Sequence, residues 1–492
     1  MRYNIKSILR KHGFDTNLPY DNIYQQLYHA LRGAIVFGTL NENDALPPTR
    51  LMAKDLGVSR STVIKAYDKL AGDGFAWSKT GSGVFVAPKK MMGQGSISPL
   101  PPANVKRKSH LSKLGLRFGK KMTFTEEGKG VPFRPGLPPL DLFPLVKWQT
   151  LSNEYWKKVT SSELTYYGTS GIKSLRENIA NYLKFYRNIE CDPHQIVITT
   201  GSLHSLYLIF SVLVDDGDQV VIENPTYPNA RKILEALQAK IFNAPVDKDG
   251  IDLESFRSKK PKLIYTTPSN QYPTGIKMSM DRRIKLSEWV QNNQSLIIED
   301  DYDHEFSNWE NPLPAIFSLN TNGRVVYLGT FNKLLHPSLR VGYIIVPNFM
   351  LDSVLALHQH SSRFISPYLQ KTLNAFIERD YLNDHLRNIM EVTSRRRKIF
   401  IDFFKQNLSK YISIEEKTQG LHLIGRLKED ILDKNLSEYL VQNGIIAHPL
   451  GNYYKNPSEA NGLVMGYCSV NEITMTKKLK TMAQLVKSFA NS

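Results

Sequence analysis

The first pattern of hydrophobic positions along the chain is that of an amphipathic helix. Over residues 23–37 apolar side chains recur every three or four positions. This period predicts a helix with one buried face. The apolar positions are Ile23, Leu27, Leu31, Ala34 and Phe37.

Two shorter helices and a hairpin are predicted next. One helix covers residues 49–56 with Thr49 as its N-cap, and another begins after Ser59, because a hydroxyl side chain before a helix accepts a hydrogen bond from a free backbone amide. Two β-prone runs, 75–79 and 84–86, flank a glycine-rich tip. These elements together predict a helix-turn-helix followed by a β-wing.

From about residue 131 onward, buried-strand runs alternate with helical patterns. Such alternation predicts an α/β domain built on a mostly parallel sheet. Beyond about residue 375 the pattern changes to that of a smaller α+β subdomain. The five clearest strand runs are 195–199, 218–222, 262–266, 295–298 and 324–328.

The stretch between these two regions has a different composition. Residues 88–130 are rich in Pro, Gly, Ser and Lys and show little periodicity, which predicts a flexible basic linker. We therefore expect three parts: a winged helix-turn-helix head over 1–87, the linker over 88–130, and a large domain over 131–492.

Charge separates these parts further. The chain carries a net charge of +17, and residues 1–125 account for 13 of these positive charges. A basic head on a nearly neutral body favours a polyanionic partner that the head would bind.

Composition excludes several other classes of protein. No apolar run approaches the roughly 18 residues that span a bilayer, so we expect no membrane segment. Two cysteines in 492 residues form no disulfide framework, and neither has a neighbour at metal-ligand spacing. We expect a reduced, cytoplasmic protein without a metal site.

The third predicted helix has the features of a DNA-recognition helix. Small hydroxyl and basic side chains lie at its start and on its outer face, where they can contact bases and phosphates. The glycine-rich wing tip can bring its backbone close to a phosphate. The candidate side chains on the helix are Ser59, Arg60, Ser61, Thr62 and Lys65.

The run LPPTRLMAKDLGVSRSTVIKAYDKLAGDGF resembles the GntR family of winged-helix regulators. The resemblance covers residues 20–87 and implies binding to double-stranded operator DNA. Ile64 stands where many members carry an arginine, so one family contact is missing here. The contacts that the resemblance implies are Arg50, Ser59, Arg60, Thr62 and the wing residues Gly81, Ser82 and Gly83.

Polar residues follow the predicted strands of the large domain, where open α/β sheets bind their ligands. The set suits pyridoxal phosphate, which needs a lysine for its aldehyde, an acid for its ring nitrogen and a phosphate cup. Lys333 is the candidate lysine and Asp300 the candidate acid. Tyr302 can reach the ring oxygen, and Ser202 lies at a helix N-terminus suited to phosphate.

The order of these pieces resembles the fold-type I aminotransferases over residues 131–492. More narrowly, TPSNQYPTG, IIEDDYDHEF and GTFNKLLHPSLRVGY resemble the MocR subfamily, whose members join a GntR head to an aminotransferase-like body. The resemblance implies that Lys333 is the Schiff-base lysine, with Asp300 at the ring nitrogen and Tyr302 at the phenolic oxygen. It also implies Tyr227 stacked on the ring, Ser202, Asn332 and Arg340 around the phosphate, and Tyr167 reaching the phosphate of a partner subunit in a homodimer.

Several positions depart from this family pattern. Leu203 stands where relatives often carry Gln, Asn270 replaces a common His, and Asn332 replaces a usual Ser. Tyr272 stands where aminotransferases carry Asn. These changes remove individual hydrogen bonds but leave the lysine, the acid and Arg340 in place.

Three functions stay open at this point. The chain is a regulator that responds to an amino compound, a working aminotransferase with a DNA-binding head, or a sensor of pyridoxal phosphate itself. Aminotransferases clamp the substrate carboxylate with a late arginine, and the corresponding position here is Val464. We therefore expect a regulator with weak or partial transamination at most. Arg231 or Arg363 would have to hold an amino-acid effector.

Overall fold

A computed structural model describes residues 5–15, 23–79, 81–88, 110–120, 132–307, 313–319, 322–416, 420–428 and 430–491. Contacts divide the chain into two compact units, Met1–His110 and Leu111–Ser492. Each unit has its own hydrophobic core, and each is described separately below.

The first unit contains the predicted winged helix-turn-helix. Ser59 caps α4, and its Oγ accepts a hydrogen bond from the Thr62 amide at 3.1 Å. Gly57 ends α3 in the left-handed conformation, at φ 69°, which a residue without a side chain adopts most readily. The strands β1 and β2 pair antiparallel. The elements are α1 (Ile5–Lys11), α2 (Ile23–Val36), α3 (Thr49–Leu56), α4 (Arg60–Gly72), β1 (Ala76–Lys79) and β2 (Gly83–Val86).

Three details of this unit differ from the sequence predictions. Pro48 precedes α3, so Thr49 is the first helical residue and not the cap. Phe37 lies beyond the end of α2, is 79% exposed and stacks on His12, because the buried face of α2 ends at Ile35. The short helix α1, which the periodicity did not indicate, adds Ile5 and Leu9 to the core.

Part of the predicted linker forms a helix on the second unit. In α5 (Lys113–Lys120) the guanidinium of Arg117 donates to the Ala236 carbonyl at 2.7 Å, and Phe118 meets the ring of Tyr207 edge-on, with centroids 6.3 Å apart. No regular structure was predicted here because the surrounding stretch is rich in Pro, Gly, Ser and Lys, which is typical of a linker. Residues 89–109 and 121–131 lie outside the described part of the chain, so the linker boundaries stay a prediction.

An eight-stranded sheet forms the centre of the second unit. Its strand order is β3-β10-β9-β8-β7-β4-β5-β6. Strands β5, β4, β7, β8 and β9 run parallel to their neighbours in this series, whereas β10 runs antiparallel to both β9 and β3. The strands are β3 (Ile196–Thr199), β4 (Gln219–Asn224), β5 (Lys240–Asp247), β6 (Gly250–Ile251), β7 (Leu263–Thr266), β8 (Leu296–Asp300), β9 (Val325–Thr330) and β10 (Gly342–Ile345).

Helices cover both faces of this sheet, since successive strand residues point to opposite sides. Val220 and Ile222 of β4 pack with α8 and α9, whereas Val221 packs with α10. This arrangement confirms the α/β prediction and the five predicted strands. The helices of this layer are α6 (Leu145–Lys158), α7 (Lys173–Arg187), α8 (Ser202–Leu213), α9 (Pro228–Ala236), α10 (Met280–Asn293), α11 (Ile316–Leu319), α12 (Asn348–Ser361) and α13 (Pro367–Glu378).

The chain ends in the predicted α+β subdomain. A four-stranded antiparallel sheet of order β11-β12-β14-β13 packs against three helices. Among the described residues, no helix is long and apolar enough to span a bilayer. The elements are α14 (Tyr381–Asn407), β11 (Ile412–Ile414), β12 (His422–Leu427), α15 (Asp433–Gln442), β13 (His448–Pro449), β14 (Gly462–Gly466) and α16 (Glu472–Ala490).

Candidate functional site

Asp300 is the last residue of β8, and its carboxylate is only partly satisfied. Its Oδ2 accepts a hydrogen bond from the Tyr265 hydroxyl at 2.8 Å. Its Oδ1 is buried without a hydrogen-bond partner. Burial raises the pKa of Asp300 to about 7, and the neighbouring Asp301 adds to that rise. This free oxygen can accept a hydrogen bond from a protonated ring nitrogen of a ligand.

Lys333 follows β9 and turns toward the same strand ends. Its ammonium donates to the Gly136 carbonyl at 2.7 Å. A Cβ at Gly136 would lie 2.7 Å from that nitrogen, so a glycine is needed there for the approach. Burial lowers the pKa of Lys333, against the opposing charges of Asp303 and Asp300. A lowered pKa provides more of the free amine that attacks an aldehyde.

Three candidates for the phosphate cup come together around Gly201. This glycine has φ 98° and directly precedes Ser202, the first residue of α8. A Cβ at Gly201 would lie 2.6 Å from the Asn332 amide nitrogen and 3.7 Å from the Arg340 guanidinium. Gly201 lets the Asn332 amide approach its backbone, so a helix N-terminus, an amide and a guanidinium lie together there, which suits a phosphate.

Tyr227 and Tyr302 both lie against the ring of Tyr272. The ring of Tyr227 meets that ring edge-on at 5.7 Å between centroids, and the ring of Tyr302 does so at 5.6 Å. The Tyr302 hydroxyl donates to the Asn270 carbonyl at 3.0 Å. Its oxygen thus remains available only as an acceptor in this state.

Tyr272 is the centre of an aromatic cluster that sequence reasoning did not find. Besides Tyr227 and Tyr302, its ring contacts His422 at 5.3 Å and Tyr453 at 5.5 Å. The cluster joins the strand ends of the large sheet to the C-terminal subdomain. No local pattern announces it, because its members come from segments up to 226 positions apart.

Val464 packs beside this cluster. It is fully buried with Ile424, Leu450 and Tyr453. The position predicted to correspond to the carboxylate-binding arginine of aminotransferases is therefore part of a small hydrophobic core.

The remaining predicted residues lie elsewhere. Tyr167 is half-buried beside the ring of Phe364, with centroids 6.3 Å apart. Arg363 lies over the ring of Tyr166 at 3.8 Å, and Arg231 donates to Asn243 on β5. Neither arginine is placed next to Lys333 by these contacts.

On the first unit, the predicted DNA-contacting residues form one exposed set. The Ser59 hydroxyl is a helix cap and pairs with the hydroxyls of Ser61 at 2.8 Å and Thr62 at 2.7 Å. Arg60 donates to Thr49 at 3.3 Å. Thr62 is partly buried, whereas the others are exposed. The exposed members are Arg50, Ser59, Arg60, Ser61, Lys65, Gly81, Ser82 and Gly83.

Comparison with known proteins identifies both units. Residues 141–461 match the family described as aminotransferase class I and II, and residues 23–86 match the gntR family of bacterial regulatory proteins. The probable rhizopine catabolism regulatory protein MocR of Rhizobium meliloti is 33% identical over 476 residues, which cover 95% of this chain and 94% of the relative. The chain belongs to the MocR-type regulators of the GntR family.

Other relatives agree with this assignment. The pyridoxine biosynthesis regulator PdxR of Corynebacterium glutamicum is 27% identical over 94% of this chain and 96% of its own. The kynurenine aminotransferase of Pyrococcus horikoshii, solved with its pyridoxamine cofactor form, superposes with a TM-score of 0.70 at 25% identity, over 78% of this chain and 98% of its own. The fold-type I prediction is thereby confirmed.

Pyridoxal phosphate is the cofactor of this MocR-type protein, and the residues present fit it. The buried free oxygen of Asp300 suits the ring nitrogen, Lys333 suits the aldehyde, and the cup at Gly201 suits the phosphate. When bound, the cofactor supplies an electrophilic aldehyde on an electron-withdrawing ring.

Replacement of the lysine tests this arrangement. We expect the purified protein with cofactor to absorb near the visible edge and to lose that band on borohydride reduction. Lys333→Ala should lack the band, because the substitution removes the amine that would form it. Lys277→Ala, a partly buried lysine of the same unit, is the control and should keep it. An unchanged spectrum in Lys333→Ala would contradict the assignment.

Proposed function

We propose that this protein binds operator DNA through its head and that a ligand at the pyridoxal phosphate site changes the affinity for that DNA. The observation that carries the proposal is the buried Val464, which replaces the carboxylate-binding arginine in a packed apolar cluster. Without that clamp, the site holds the cofactor but does not orient an amino acid for efficient turnover. Operator DNA as a partner also implies a cytoplasmic protein.

In this proposal, the candidate residues keep the roles that the sequence suggested. Lys333 binds the cofactor covalently, Asp300 pairs with the ring nitrogen, and Tyr302 lies at the phenolic oxygen. Tyr227 covers the ring, while Ser202, Asn332 and Arg340 hold the phosphate. The support is the gathering of these groups at one edge of the sheet.

The helix α5 provides a route by which the site can act on the linker. Arg117 is bound to the end of α9, and Phe118 contacts Tyr207 of α8. The N-termini of these two helices carry Tyr227 and Ser202. A shift of either helix on ligand binding would move the anchor of the linker.

The DNA-contacting role of the head can be tested with single substitutions. Arg50→Ala should weaken binding to all sequences and lower the slope of log affinity against log salt by about 1, since one phosphate contact is lost. Arg60→Ala should cost about 1–3 kcal/mol at one position of the operator if it contacts a base. The control Arg257→Ala removes an exposed charge from the large unit and should change neither quantity. Wild-type affinity in the Arg50→Ala, Arg60→Ala double variant would rule the role out.

We further propose a homodimer formed by the large unit. Fold-type I sites are completed by a partner subunit. Apolar side chains in the region before Tyr167 are also exposed, since Val146 is 76% exposed and Leu164 is 62% exposed. A paired head also suits a two-half-site operator.

Sedimentation with bound cofactor should therefore give about twice the 56.1 kDa chain mass. Tyr167→Phe should weaken cofactor binding without dissociating the dimer, because the proposed hydroxyl contact crosses the interface. Tyr166→Phe, the exposed neighbour, serves as the matched control. A monomer at micromolar concentration, or unchanged cofactor affinity in Tyr167→Phe, would contradict this proposal.

Coupling between the two functions gives the decisive test. A ligand shifts the arrangement of the heads only through its differential affinity for two states, and typical coupling changes affinity by roughly 5–150-fold. We expect a change of this size in operator affinity between cofactor-free and cofactor-bound protein, and none in Lys333→Ala if covalent binding is required. By reciprocity, operator DNA should alter cofactor affinity by the same factor.

Two results would contradict the coupling. Operator affinity that is identical with and without cofactor, and with every amine tried, would leave regulation by ligand without support. Turnover of an amino acid and a keto acid at about 10 per second, an ordinary enzyme rate, would favour a working aminotransferase.

A further inference from the structure

Asp303 is a second buried carboxylate at the cofactor site, and nothing in the cofactor cup uses it. It follows Tyr302 beyond the end of β8 and is 1% exposed. Its Oδ1 accepts a hydrogen bond from the Asn270 amide at 2.9 Å. Its Oδ2 is buried without a hydrogen-bond partner. An unpaired carboxylate oxygen in such a place is costly unless a ligand completes it.

The free oxygen of Asp303 lies against a glycine, whose missing side chain lets the carboxylate approach the backbone there. A Cβ at Gly420 would lie 2.8 Å from Oδ2. Gly420 has φ 91° and precedes β12 of the C-terminal subdomain. The carboxylate also acts on Lys333 more strongly than Asp300 does. Asp303 therefore borders both the reactive lysine and the subdomain that closes the site.

His422, two residues after Gly420, offers a second unused acceptor. Its Nε2 lies 2.8 Å from the Pro273 carbonyl, which can only accept, so Nε2 carries the proton. Burial lowers the pKa of His422 to about 4, which keeps the ring neutral, and Nδ1 is buried without a partner. The charge of Lys333 also acts on this ring.

Asp303 and His422 offer hydrogen-bond acceptors, whereas a site for an amino acid must offer donors to the carboxylate. A carboxylate ligand needs donors and positive charge, yet the clamp position is the apolar Val464. The unused atoms of Asp303 and His422 are an acidic oxygen and an imidazole nitrogen, and both require donors from the ligand.

We infer that the effector is an amine with a second donor group, either an ammonium or a hydroxyl, and without a carboxylate. The second group would donate to Asp303 Oδ2, with His422 Nδ1 as a further acceptor. This inference rests on the proposed function, since it names the class of ligand that acts at the same site. A ligand ammonium would also keep Asp303 ionised, although burial raises its pKa to about 7.

Four probes with one carbon skeleton test the inference on the full-length protein with bound cofactor. They are 1,4-diaminobutane, 4-amino-1-butanol, 4-aminobutanoate and butylamine, which differ only in the second group. Calorimetry should give the diamine or the amino alcohol an affinity at least about tenfold higher than those of butylamine and the amino acid, because a charged hydrogen bond is gained. Tighter binding of 4-aminobutanoate, or equal binding of all four, would overturn the inference.

A substitution assigns the preference to one side chain. Asp303→Asn should reduce the advantage of the diamine over butylamine by about tenfold. The two affinities are compared within one protein. A general change in cofactor binding would therefore affect both probes and leave their ratio unchanged. Asp216→Asn, an exposed carboxylate on the same unit, is the matched control and should keep the wild-type ratio. An unchanged ratio in Asp303→Asn would overturn the assignment to Asp303.

Operator affinity measured with the same probes separates this inference from the proposed function. Selective binding of the diamine or amino alcohol without any change in DNA affinity would support the inference and contradict regulation by ligand. Binding of none of the probes at millimolar concentration would overturn the inference, while a cofactor-dependent change in DNA affinity would leave the proposed function standing.

Discussion

Parallel pairing of β4, β7, β8 and β9 is the constraint on which the site depends. Parallel strands place their carboxyl ends at a common edge of the sheet, and the registers of these four strands bring Asp300 and Lys333 to that edge. The antiparallel β10 begins beside the end of β3, where Gly342 pairs with Thr199, so the preceding Arg340 lies near Gly201. Residues 201 and 340, more than a hundred positions apart, thus help form one phosphate cup, and Asp300 and Lys333 come to the same edge.

Two adjacent carboxylates at the end of β8 have opposite environments. Asp301 forms an ion pair with Arg187 at 2.7 Å and accepts a hydrogen bond from Tyr327 at 2.7 Å. Burial works against its ionisation, but Arg187 and these partners hold the pKa of Asp301 at about 2. Asp300 receives one hydroxyl and its pKa rises to about 7. Asp301 stabilises the strand end, which leaves Asp300 with a free oxygen for a ligand.

The C-terminal subdomain decides what else can enter the site. It contributes Val464, His422 and Tyr453, and these residues combine an apolar wall with a neutral acceptor. In our proposal, an aminotransferase body without its carboxylate clamp binds the cofactor but does not orient amino acids for turnover. This combination suits a domain that reports ligand binding to an attached head.

The sequence by itself determined the head and the α/β class, and it predicted the principal site residues. Helical and strand periods are local, and motifs such as the GTFNK run place a lysine at a strand end whatever the rest of the chain does. Local patterns also predicted the Ser59 cap, since a cap involves residues three apart.

Only the tertiary structure decided the features that join distant segments. The approach of Gly136 to Lys333, the unpaired oxygen of Asp303 in front of Gly420, and the aromatic cluster around Tyr272 depend on packing between the two sheets of the large unit. The same holds for α5, whose eight residues gain their contacts from α8 and α9. At Phe37 the local pattern was misleading. The helical period continues to this residue, but α2 ends at Val36 and the Phe37 side chain is exposed. The hydrophobic period of a segment shows which of its faces is apolar. Which other segment packs against that face is determined only by the tertiary structure.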